Sequence, residues 1–236
     1  MNKKIKNGVS QEIDMRALKK TAIIRCLSML IVLGITFFVT AWTLMYWEGW
    51  AYIFVLGVPM VIFGMYLFKH DPKLLERRMR TKEKYREQKL VIKLSLLSLP
   101  TTFILPGLDK RFGWSKVSII MEIIAFVLVL IGYVMTIYVL KANSYASRVV
   151  EVEKGQKVIS SGPYAIVRHP MYSSIIILYF FSPIALGSYW ALIPASIYLI
   201  TLIFRIFGEE KVLLEELEGY REYTKKVKYR LIPGIW

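Results

Sequence analysis

Four uncharged apolar blocks decide what this chain can fold into. Residues 26–47, 51–68, 123–140 and 173–204 contain no Asp, Glu, Lys or Arg. A run of about 18 or more apolar residues suffices for a helix to cross the hydrocarbon, because about 20 residues at about 1.5 Å rise each span it. A soluble all-α protein of 236 residues could not hide four such blocks in one core. The expected fold class is therefore all-α: a polytopic transmembrane helical protein with about six spans and a cytoplasmic, amphipathic C-terminal helix.

The remaining segments fill in this plan. Residues 1–20 read as a basic, cytoplasmic N-terminus. Residues 21–68 read as a transmembrane hairpin, with spans at about 21–45 and 51–68 and Trp47 and Trp50 at the water interface between them. A signal peptide does not fit, since the first block begins late, is too long and lacks a small-residue cleavage site. Residues 69–117 read as a cytoplasmic segment followed by a third span. Its charged part, DPKLLERRMRTKEKYREQK, suggests either a helix on the membrane surface or a solvated linker. Its apolar part, 94–108, is short and carries Pro100 and Pro106, so it reads as a tilted or broken span or a re-entrant hairpin. A fourth span covers about 118–140, and residues 173–204, punctuated at 183–188, read as a hairpin with two short arms. If 94–108 crosses, both termini and the basic loops share the cytoplasmic side, as the positive-inside bias prefers.

A formal charge of +15 raises a nucleic-acid reading. It is set aside because the Lys and Arg residues flank apolar blocks, as juxtamembrane cations do. The single cysteine, Cys26, allows no intramolecular disulfide. His70 and His169 are isolated from other ligand types at metal spacing, so no metal is expected. No glycine-rich nucleotide turn is present either.

The polar residues that remain cluster around the last hairpin. The loop NSYASRVVEVEKGQKVISSGPYAIVRHPMYSS enters it, and RIFGEE leaves it. Folding the hairpin would bring 162–172 against 205–210. Arg168 and His169 could then meet a carboxylate, and Glu209 and Glu210 an ammonium or ribose hydroxyl. Tyr164 and Tyr172 could face an aromatic ring or a sulfonium. Arg205 and Glu209, four apart, share a helix face. The bland alternative is that these charges only anchor the helix ends to lipid headgroups.

The ordered set GPYAIVRHPMY, RIFGEE and GYREYTKKVKYRLIP resembles the membrane methyltransferases of the isoprenylcysteine carboxyl methyltransferase type, most strongly over 143–236. DPKLLERRM and RLIPGIW suggest its bacterial branch. The resemblance implies a methyltransferase core over 118–236 that binds S-adenosyl-L-methionine between the hairpin and the tail. It implies that Gly162, Pro163, Tyr164, Arg168, His169, Pro170 and Tyr172, with Glu209 and Glu210, form the cofactor pocket. Arg205 and Glu209 would lie near the reacting end; Asn143 and Arg205 are the residues expected, apart from the resemblance, to orient the acceptor head. One departure is Ser174, where the family often has glycine.

Methyl transfer from a sulfonium needs alignment and exclusion of water more than acid–base chemistry. The expected acceptor is a lipophilic molecule entering from the membrane, a carboxylate being one choice. An aminolipid or phospholipid N-methyltransferase and a sterol-reductase-type enzyme using NADPH stay open as alternatives. A transporter is disfavoured by the scarcity of ionisable residues inside the spans. The expected location is the bacterial inner membrane, with membrane lipids as surroundings and no nucleic-acid partner.

Overall fold

The computed structural model describes residues 14–81, 83 and 85–236, and for 86–90 only the backbone. The basic residues before Asp14, and part of the cytoplasmic N-terminus expected over 1–20, lie outside these. Among the described residues the chain is all helical. Six apolar helices form a bundle: α1 (Met15–Ala41), α2 (Trp47–His70), α4 (Arg86–Phe112), α5 (Ile119–Ala142), α6 (Pro170–Ala185) and α7 (Leu192–Glu216). Two short ones, α3 (Pro72–Met79) and α8 (Tyr220–Lys226), lie at one end of it.

The helix boundaries follow from local chemistry. Asp14 caps α1 by accepting from the Arg16 and Ala17 amides at 3.0 and 3.1 Å. Asp71 ends α2 and caps α3 through the Leu74 amide at 3.0 Å, and Pro72 occupies the first turn, where its missing N–H costs nothing. Ser118 caps α5.

Five helices are long and apolar enough to cross a membrane, and α6, with 16 residues, is shorter. Their outward faces are apolar. Ile31, Val32, Ile35 and Val39 on α1 are each more than half exposed, as are Ile119, Ile120, Ile123 and Ile124 on α5. A soluble monomer does not present apolar patches of this extent to water. Trp42, Trp47, Trp50, Trp114 and Trp190 are exposed where α1, α2, α4, α5 and α7 end or begin away from α3 and α8. Together they suit a membrane–water interface. The protein is an integral membrane protein.

One expectation changes. Residues 94–108 are no broken or re-entrant segment: α4 runs unbroken through Pro100 and Pro106 for 27 residues. Gly107 lets it press against Thr40 and the Phe37 carbonyl of α1, where no side chain fits. The C-terminal part is helical in two pieces. The RIFGEE residues continue α7 out of the bundle, and the chain then breaks at Leu217–Gly219, where Gly219 adopts φ +81°. Only α8 follows, and 227–236 is non-helical. The position noted as a departure, Ser174, is fully buried against α5, with its hydroxyl 2.9 Å from Thr136 Oγ1. Gly132 provides the space: a Cβ there would meet Leu178 N at 2.9 Å and Ser174 O at 3.0 Å. Ser174 therefore bears on helix packing and does not line the cavity described next.

Candidate functional site

The end of the bundle that carries α3 and α8 also holds the 143–169 loop. A cavity of about 860 Å³, counting its open mouth, lies between that loop, the α6 start, the α7 end and α8.

The loop is fixed from both sides. Arg77 on α3 grips Glu153 through Nε at 2.9 Å and also donates to the Ser144 carbonyl at 2.7 Å. Arg80 reaches Glu151 at 2.6 Å and Glu153 at 2.8 Å. The hydrogen bond from Arg77, with Arg80 adding to it, holds the Glu153 carboxyl down to about 2. Farther along, the Arg168 and His169 amides donate to the Tyr229 and Arg230 carbonyls, both at 2.9 Å, so the extended tail lies along the start of α6. The Ser173 hydroxyl adds a bond to Leu231 O at 2.7 Å.

The paired glutamates have separate surroundings. Adjacent helix residues point about 100° apart, since a turn holds about 3.6 residues. Glu209 faces the cavity and accepts from the Tyr172 hydroxyl at 2.6 Å. That hydroxyl in turn accepts from Arg205 Nε at 3.0 Å, giving a chain Arg205–Tyr172–Glu209. Glu210 points away and is buried. It receives Arg168 Nε at 2.6 Å and Arg230 Nε at 2.7 Å, and lies 3.3 Å from His169 Nε2. Arg168 also donates to the Val227 and Lys228 carbonyls. The carboxylate that Arg168 and His169 meet in the fold is thus Glu210, which fastens loop, α7 and tail together.

The sequence-selected residues divide accordingly. Asn143, Tyr164, Arg168, His169, Tyr172, Arg205 and Glu209 line the cavity, whereas Gly162, Pro163, Pro170 and Glu210 do not. Gly162, at φ +58°, and Pro163 shape the 3₁₀ turn that presents Tyr164, and Pro170 starts α6. Asn143 Nδ2 donates to the Tyr164 hydroxyl at 3.1 Å. Burial pushes that hydroxyl's pKa up to about 12, so it keeps its proton at neutral pH.

Three residues escaped sequence reasoning. Arg78 on α3 points inward, donating to the Ser147 carbonyl at 3.3 Å and contacting Met171 Sδ at 3.8 Å. Burial first, then the neighbouring Arg148 and Arg205 guanidiniums, lower its pKa. Arg205 Nη2 donates to the Arg148 carbonyl at 2.9 Å. Among the described residues neither Arg78 nor Arg148 has a carboxylate partner. Tyr220 is 4% exposed, lines the cavity, and its hydroxyl has no hydrogen-bond partner among the described residues. Nothing in DPKLLERRM or GYREY distinguishes Arg78 or Tyr220 from their neighbours. No group of His, Cys, Asp or Glu that could hold a metal occurs among the described residues.

The model of the phospholipid methyltransferase family matches residues 120–218. The fold is similar to the solved structure of a eukaryotic intramembrane Ras methyltransferase, ICMT (isoprenylcysteine carboxyl methyltransferase), with TM-score 0.53 and 17% identity, over 94% of this chain and 81% of that one. No curated protein sequence matches the chain significantly. The resemblance read from the C-terminal motifs is borne out as a similarity: residues 120–218 match the phospholipid methyltransferase family model, and the polytopic helical fold is like that of the isoprenylcysteine carboxyl methyltransferase.

Proposed function

We propose that this integral membrane protein is a methyltransferase that uses S-adenosyl-L-methionine and acts on a lipophilic acceptor carrying a carboxylate, which it converts to a methyl ester. The observation that carries the reading is the cavity between the 143–169 loop and α7–α8. Its walls combine a carboxylate, Glu209, with the aromatic rings of Tyr164, Tyr172 and Tyr220. A carboxylate beside aromatic faces suits a ligand that bears both a sulfonium and an ammonium group.

In this arrangement Glu209 holds the cationic part of the cofactor, and Tyr172 keeps Glu209 aimed. Tyr164 supplies a protonated hydroxyl and Asn143 orients it. The cofactor supplies a methyl group on a sulfonium, whose transfer to a carboxylate oxygen requires no general base. Arg205 and Asn143 orient the acceptor head at the junction of cavity and bundle. The loop and tail, clamped by Glu210, exclude water from it.

The acceptor's charge is argued from Arg78, Arg148 and Arg205. Arg205 is matched by Glu83 at 3.8 Å, whereas Arg78 and Arg148 have no carboxylate partner among the described residues, and guanidiniums so placed favour an anion and repel an ammonium headgroup. Tyr133, Tyr179 and Tyr198, on α5, α6 and α7, lie within electrostatic reach of these arginines, so the cluster stands at the bundle end of the cavity. In this reading a lipophilic tail lies in the membrane beside the bundle while its head meets the arginines. The loop face is assigned to the cytoplasm, where the cofactor is available and where basic loops belong. The second reading, N-methylation of an aminolipid, draws on the phospholipid methyltransferase match.

The test is a titration of the protein in nanodiscs with S-adenosylmethionine and with NADPH, followed by a labelled-methyl assay on extracted membrane lipids. Binding of the first ligand alone and base-labile label in a lipid fraction are expected. NADPH binding would replace the reading with the reductase, and base-stable label on an amine would replace the carboxylate.

A further inference from the structure

The segment RLIPGIW at the end of the tail lines no part of the cavity. Its apolar side chains divide between two surroundings. Leu231 is buried, and Trp236 partly buried, in one cluster with Ile175 of α6 and Tyr198, Leu202 and Ile206 of α7. Ile232 and Ile235 stay outside, 48% and 77% exposed, with Pro233 also exposed between them.

The backbone of this turn is closed on itself. The Leu231 and Ile232 amides donate to Trp236 O at 2.8 and 3.1 Å, and the Ile235 and Trp236 amides donate to Ile232 O, both at 3.1 Å. Leu231 O accepts from the Ser173 hydroxyl, and Pro233 has no N–H to satisfy. Gly234, at φ +81°, makes the reversal. A segment that enters lipid must satisfy its backbone polar groups within the protein, a need that a turn in water does not have.

The position of the turn agrees. On α7 the exposed residues Ile193, Ile197, Ile200, Phe204 and Phe207 recur at steps of three and four, so one lipid-facing stripe runs down to Phe207. The Trp236 ring meets Phe207 edge-on where that stripe ends, with centroids 5.6 Å apart. The turn thus extends an apolar surface that already faces the membrane. Lys225, Lys226 and Lys228, just before it, are exposed and suit anionic headgroups.

We propose that residues 231–236 are a membrane anchor: the turn enters the headgroup boundary beside α7, with Ile232 and Ile235 toward the acyl chains and the three lysines on the headgroups. The partner is the bilayer surface and no single lipid. The anchor bears on the Glu210 clamp. The Arg230 guanidinium lies over the Phe207 and Trp236 rings, 5.3 Å from each centroid, while its Nε donates to Glu210. Seating Trp236 at the interface therefore holds Arg230 against Glu210.

The experiment measures depth by spin labelling of the full-length protein in nanodiscs of mixed zwitterionic and anionic phospholipid. Cys26→Ser removes the native thiol. A nitroxide is then placed on Ile235→Cys, on Ile197→Cys as the lipid-facing reference, or on Glu222→Cys as the aqueous one. Oxygen, which concentrates in lipid, should relax the label at 235 more than a water-soluble nickel chelate does, as at 197 and opposite to 222. A label at 235 that behaves like the one at 222 overturns the anchor. So does a label shielded from both reagents, which marks a protein partner instead. Hydrogen exchange tests the link to Glu210. Ile232→Ser combined with Ile235→Ser should raise exchange over 227–236 about tenfold in nanodiscs, because two apolar side chains lose their place in lipid, and should leave α5 unchanged. Unchanged exchange in the tail overturns that link. Raised exchange in α5 as well makes the two side chains part of the packing and overturns the proposal.

Discussion

Replacing Glu210 by alanine should unfasten the tail, and the size of the effect can be worked from the structure. The Arg168 and Glu210 side chains are only 7% and 8% exposed, so their ion pair is buried. Removing one partner of a buried pair strands the other charge and costs about 3–5 kcal/mol. Two features favour the lower end. Arg168 retains the Val227 and Lys228 carbonyls at 3.0 and 2.9 Å. Arg230, 28% exposed, can turn to water and adds little. A loss of about 3 kcal/mol corresponds to about 6–12 °C in melting temperature at about 2–4 °C per kcal/mol for a chain of this size. The assay is thermal unfolding in detergent, paired with hydrogen exchange. Exchange should rise over 220–236 and over the 162–169 turn, the segments that Glu210 joins, before the bundle opens. Glu210→Gln keeps one acceptor oxygen and should fall between wild type and alanine. A melting temperature within about 2 °C of wild type, with no change in tail exchange, would refute the clamp and the assignment of the two glutamates to different tasks.

Glu209→Gln should leave stability within about 0.5–1 kcal/mol, because one hydrogen bond from Tyr172 is at stake, yet weaken binding of S-adenosylhomocysteine by tenfold or more in titration calorimetry. Arg78→Leu should raise the KM for a carboxylate lipid by about tenfold in the labelled-methyl assay and leave cofactor affinity unchanged; equal loss of both would place Arg78 elsewhere. Acid should loosen the loop. Glu153 has its carboxyl depressed from 4.5 to about 2, so its stabilising effect is complete above the unfolded value and is lost as pH falls through that window; exchange at 143–153 should increase there, and Glu153→Gln should abolish the pH dependence. At the opposite end of the bundle, Asp109 accepts from Ser115 N and Oγ at 2.6 Å each and from Ser188 Oγ at 2.5 Å while 1% exposed, so Asp109→Ala should cost about 3 kcal/mol by thermal melt with no effect on ligand binding.

Hydrophobicity and punctuation alone made the membrane fold legible. The apolar blocks are a local property, and a helix in lipid satisfies its own backbone within one segment, so the spans needed no tertiary information. The motifs also placed the candidate site at one end of one hairpin. Local reading failed where packing decides. Pro100 and Pro106 suggested a break, but α4 continues as one helix through both, packed on α1 and α7, with Gly107 set against α1. The α7 helix carries on past the apolar block into RIFGEE, because helical geometry does not stop where the solvent changes.

The paired glutamates mark the boundary between the two kinds of knowledge. The sequence by itself determined that Glu209 and Glu210 sit beside the entry loop, since both flank the same hairpin. Which of them faces a ligand and which holds the fold together depended on the rotation of α7 against the loop and tail. That rotation is set by contacts with Arg168, Tyr172 and Arg230, between 20 and 42 residues distant in the chain. The inward turn of Arg78 and the unpaired hydroxyl of Tyr220 are of the same kind. A side chain's partners, or its lack of one, exist only once the helices have closed around it.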